Sequence, residues 1–82
     1  MKADTEAKEH FANAQKLFLQ FLTNKNKADA EQALAECRKA IGKWAFLLNR
    51  HPDYTGLGKD IEMANMLLMD IMRAMPMQED EK

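Results

Sequence analysis

Apolar residues recur at alternating steps of three and four in three separate stretches of the chain. The first stretch carries Ala7, Phe11, Ala14, Phe18 and Phe21. The second carries Leu34, Cys37, Ile41, Trp44 and Leu48, and the third Ile61, Ala64, Leu68, Ile71 and Met75. Such steps keep side chains on one side of a helix that turns about 100° per residue, so each stretch reads as one seam of an amphipathic helix. β-branched residues are scarce and no stretch alternates with period two, which argues against strands. The pattern predicts an all-α, three-helix up-down-up bundle within one domain spanning 1–82. Its helices run over about 4–23, 27–49 and 58–75, and the acidic tail 77–82 is frayed.

End signals fit these boundaries. Asp4 or Thr5 is placed to cap the first helix, with Glu6 and Glu9 near its positive end. Asn24-Lys25-Asn26-Lys27 is a polar break so short that the first two helices must form an antiparallel hairpin. Asn26 is positioned to cap the second helix, and Asp29 and Glu31 follow it. The second joint is longer, from about Asn49 to Gly58, and contains Pro52, Gly56 and Gly58. Asp60 and Glu62 open the third helix, Arg73 sits in its last turn, and Pro76 ends it.

No full internal repeat is evident. Ala40, Trp44, Leu47 and Pro52 resemble the second helix of a tetratricopeptide repeat in their order of small residue, aromatic, small residue and proline. The resemblance covers about a dozen residues. It departs at Leu47, where that family has alanine, and the preceding helix lacks the family's Trp, Leu-Gly and Tyr pattern.

Length and charge narrow the function classes. At 82 residues there is no room for a catalytic domain beside a substrate domain, and a helical core this small is marginal. A formal charge of −1 argues against a dedicated nucleic-acid or anionic-membrane binder. Cys37 is the sole cysteine, so no internal disulfide forms and nothing indicates an oxidising compartment. The first residues lack an apolar leader segment and no run approaches a membrane span, which makes the cytoplasm the expected location.

Methionine occupies every third position late in the chain: Met63, Met66, Met69, Met72 and Met75. A step of three falls about 60° short of a full turn, so these side chains wind around the helix and no single neighbour covers them all. Met75 belongs to the seam and Met72 flanks it, whereas Met66 lies opposite, with Met63 and Met69 on either side. Thioethers are soft ligands for Cu(I), but this spacing spreads the sulfurs rather than converging them. Adaptable partner binding suits the ladder better, beside the plainer role of methionine as a helix former and gap filler.

A second strip runs along the helix-two face opposite its seam: Ala28, Ala35 and Gly42 at heptad spacing, with Phe46 beside them. Either helix three fills this strip within the monomer, or another helix docks there with Phe46 as its anchor. Lys39, Lys43 and Arg50 line up next to Phe46 and are candidate anion or nucleic-acid contacts. Their place late in the helix is also what its dipole favours. The joint residues His51 and Asp53 suggest acid–base chemistry only weakly, with no activated nucleophile in view. Gly56-Leu57-Gly58-Lys59 lacks the full phosphate-loop pattern. Cys37 and Trp44 lie in the seam and read as core residues.

The expected function is therefore that of a non-enzymatic helical interaction module, an adaptor, chaperone-like or inhibitor protein. Ala35, Gly42, Phe46, Met63, Met66 and Met69 are its candidate partner-binding residues. The expected partner is another helical protein or a second copy, with no cofactor, metal or membrane. The alternatives are a nucleic-acid-binding or regulatory helical protein using the basic face, and a methionine-rich metal or small-ligand carrier.

Overall fold

A computed structural model of the chain describes residues 2–54 and 56–75. It contains three helices, α1 (Lys2–Asn24), α2 (Lys27–Arg50) and α3 (Leu57–Ala74), and no strand among the described residues. This is the expected all-α three-helix bundle. The tail 77–82 lies outside the described residues.

The first joint is only Lys25 and Asn26, and local hydrogen bonds engage both of its backbone N–H groups. Lys25 takes a left-handed backbone conformation (φ 62°), and its N–H donates to the Phe21 carbonyl at 2.7 Å, closing α1. The Asn26 side chain accepts from the Ala28 N–H at 3.0 Å and caps α2 as expected. Asn24 braces the turn from both ends of its amide. It accepts from the Asn26 N–H at 2.9 Å and donates to Asp29 at 3.2 Å.

Two helix starts differ from the sequence expectation. Helix α1 starts at Lys2, so Asp4 lies inside it and is not its cap. The Asp4 carboxylate instead accepts from the Trp44 indole N–H at 2.9 Å and pairs with Lys8 at 3.3 Å. A buried indole N–H needs an acceptor, and Asp4 supplies one from the neighbouring helix. The second joint ends at Gly56, whose positive φ (97°) makes the final turn. Leu57, expected within the joint, is fully buried and is the first residue of α3.

Helix α2 is central. It packs along both α1 and α3, which touch each other only marginally. The Cα envelope measures 45 × 23 × 14 Å, so the bundle is opened out on the α1–α3 side and is broader than it is thick. The buried residues of α2 form one stripe: Ala30, Ala33, Cys37, Ala40, Trp44 and Leu47. Only Cys37 and Trp44 of the expected seam are fully covered, while Leu34, Ile41 and Leu48 are half-buried at its edge.

Among the described residues, six of the twelve buried apolar ones are alanine: Ala7, Ala14, Ala30, Ala33, Ala40 and Ala64. Small side chains let helices approach closely but bury little apolar area each. The larger buried side chains therefore carry much of the packing energy, and Trp44, Leu57 and Ile71 are chief among them. Trp44 meets Phe11 edge-on, with centroids 5.8 Å apart at 60°. At the other contact the Cys37 thiol reaches the Ala64 carbonyl at 3.0 Å, where the alanine leaves α3 backbone accessible. Burial pushes the Cys37 thiol pKa up, in keeping with a packed and unreactive role.

Ile71→Ala should destabilise the fold by about 2–5 kcal/mol in urea unfolding, whereas Leu68→Ala, at a half-buried position, should cost less. A second expectation concerns pH. The Trp44 hydrogen bond, aided by Lys8, holds the Asp4 carboxyl below its ordinary pKa. His10 and Asn13 hydrogen bonds, with Lys39 nearby, do the same for Glu36. Both groups are more acidic folded than unfolded, so their stabilisation is present above the ordinary carboxylate range and is lost as pH falls through the lowered values. Stability should decline as pH drops below about 4, and the Asp4→Asn/Glu36→Gln variant should show a shallower decline over that window.

Candidate functional site

The candidate partner-binding residues fall on two separate surfaces. Ala35, Gly42 and Phe46 lie on the outer side of α2, and Met63, Met66 and Met69 on the outer side of α3. The Ala28–Ala35–Gly42 strip is exposed along its whole length. A Cβ added at Gly42 would meet nothing within 4 Å. Helix three therefore does not fill this strip. Helix α2 uses a different set of small residues, Ala30, Ala33 and Ala40, to face its neighbours.

Phe46 is 56% exposed, and the Arg50 guanidinium lies 5.4 Å from its ring centroid. Together with Ala3, His10, Lys39, Gly42 and Lys43 it lines a shallow groove between α1 and α2. Ala35 lies in the adjoining groove beside Leu17, Gln32 and Lys39. The cations of this face are largely engaged within the protomer. Lys43 pairs with Glu6 at 3.0 Å and Lys39 with Glu36 at 3.5 Å. Glu36 also binds His10 Nδ1 at 2.7 Å, so the basic strip is interleaved with carboxylates.

On α3 the ladder is open to solvent. Met66 is 61% exposed, and Met63, Met69 and Met72 are 51% each. Met75 packs against the core as expected. Met72, on the flank of the seam, keeps about half of its surface in solvent. The reason is architectural: α2 forms almost all of the wall against which α3 packs, so the far side of α3 is left uncovered.

A third apolar surface was not anticipated. Leu19 is 64% exposed and Leu22 42%. Leu19 and Phe18 line a shallow groove with Gln15 and Leu67 where α1 and α3 diverge. Its signal was present in the sequence: Leu17, Phe18, Leu19, Phe21 and Leu22 put more apolar residues into α1 than one seam can bury.

Among the described residues of the second joint, His51 and Asp53 form no side-chain hydrogen bond or ion pair with each other. His51, Pro52, Asp53 and Tyr54 are exposed and form a turn in which the Tyr54 N–H donates to the His51 carbonyl at 3.0 Å. Thr55 lies outside the described residues. His10 faces Glu36 across the α1–α2 contact and does not approach this joint through any hydrogen bond or ion pair. Among the described residues no three His, Cys, Asp or Glu side chains gather as a metal site, and no helix is long and apolar enough to cross a membrane.

Comparison with known proteins finds no matching family model, no matching curated protein and no matching solved structure.

Gly42 offers a direct measurement. With open space around its Cα, Gly42→Ala should raise the stability of the monomer by up to about 1 kcal/mol through helix propensity alone. Chemical denaturation of the two proteins checks this, and a loss of stability would mean that the position is packed.

Proposed function

We propose that this chain is a small, non-enzymatic helical protein–protein interaction module, of adaptor, chaperone-like or inhibitor type, acting through exposed apolar helix surface. The observation that carries the reading is the row of half-exposed methionines on α3: Met63, Met66, Met69 and Met72. Isolated apolar residues on a surface need no explanation, but four on a single short helix do. Flexible, polarizable thioethers repack readily against a partner helix, which suits an adaptable docking face. The proposed partner is a helical protein.

The nucleic-acid alternative has less support, because Lys39 and Lys43 are tied to Glu36 and Glu6 and leave Arg50 stacked on Phe46. The metal-carrier alternative asks divergent sulfurs to share one ion.

Replacing Met63, Met66 and Met69 together by glutamine tests the reading, since glutamine matches methionine closely in helix propensity. The triple variant should keep its helical circular dichroism and melting temperature while losing most hydrophobic-dye fluorescence. A wild-type protein that binds no dye, or a variant that unfolds, would overturn it.

A further inference from the structure

One face of α3 combines the methionines with charge in an order that matches its own reverse. Glu62, Met66, Met69 and Arg73 follow one another at steps of four, three and four and therefore share one side of the helix. All four are exposed. Met63 and Met72 lie at the two edges of this face and are also half-exposed. Among the described residues neither Glu62 nor Arg73 forms an ion pair within the protomer, unlike Lys8, Lys39 and Lys43.

Resting on the interaction-module reading, we propose that the partner of this face is a second copy of the chain, docked with its α3 antiparallel to the first about a two-fold axis. Turning the helix end for end places Glu62 against Arg73 of the other copy, and Arg73 against Glu62. Met66 then packs beside Met69 at the centre, twice. The same face repeated by a two-fold axis is self-complementary, as an isologous dimer requires. A parallel pairing in register would set Glu62 against Glu62 and Arg73 against Arg73. The charges thus select the antiparallel arrangement, which also opposes the two helix dipoles favourably.

Sedimentation equilibrium of the full chain, from micromolar to sub-millimolar concentration, tests this with two single variants. Glu62→Lys faces the partner's Arg73 with a like charge, and Arg73→Glu faces the partner's Glu62 with a like charge. Each variant alone should weaken the dimer about tenfold. An equimolar mixture should recover wild-type affinity, because in the mixed dimer both pairs become attractive again. Circular dichroism of each variant verifies that α3 remains folded, and raised salt should weaken the wild-type dimer in the same direction. A dimer indifferent to both variants, or one lost on Phe46→Ala instead, would overturn the assignment to this face. A wild-type monomer throughout the range would overturn self-association. If that monomer still binds dye in a way that the Met63, Met66 and Met69 glutamines abolish, the face serves a different helical partner and the interaction-module reading survives. If it binds none, both readings fall.

Discussion

The central position of α2 is the constraint on which the other features depend. A helix flanked on two sides must present small residues where the neighbouring backbones come close, and α2 does so with Ala30, Ala33 and Ala40. Ala7 and Ala14 answer from α1, and Ala64 from α3. Close approach brings Trp44 within reach of Asp4 and Cys37 within reach of the Ala64 carbonyl. Both bonds join α2 to a neighbour through a side chain that would otherwise be buried with an unmade hydrogen bond.

The same constraint leaves the outer helices underclad. With α1 and α3 barely touching, each packs against a single wall, and the apolar residues beyond that wall have nothing to cover them. On α1 these are Leu19 and Leu22, and on α3 they are Met63, Met66, Met69 and Met72. A closed bundle of three mutually packed helices would have absorbed several of them. An opened-out bundle keeps them available, and this availability is what the proposed interaction function uses.

Charge gives the surfaces different characters. On the α1–α2 face, carboxylates from both helices pair with Lys39 and Lys43, so its electrostatics are largely settled within the protomer. On α3, Glu62 and Arg73 bracket exposed methionines without such pairing among the described residues. An apolar centre with unsatisfied opposite charges at its two ends is directional, whereas the methionines alone would accept a partner in many registers.

Much of the architecture follows from local physics that the sequence alone expresses. Steps of three and four fixed the helical class, Asn26 fixed the start of α2, and the short polar break Asn24-Lys25-Asn26-Lys27 fixed the antiparallel hairpin, because each depends on neighbours a few positions apart. The surplus of apolar positions on α3 was readable for the same reason. Which surplus is buried depends on where the neighbours lie, and only the tertiary structure decided that. Helix two carries two small-residue strips at heptad spacing, one through Ala33 and Ala40 and one through Ala28, Ala35 and Gly42. Composition does not distinguish them, and packing covers the first while leaving the second in solvent. Asp4 was readable as a helix-start residue. Its bond to a tryptophan forty positions away was not, since that separation closes only when α1 and α2 pack.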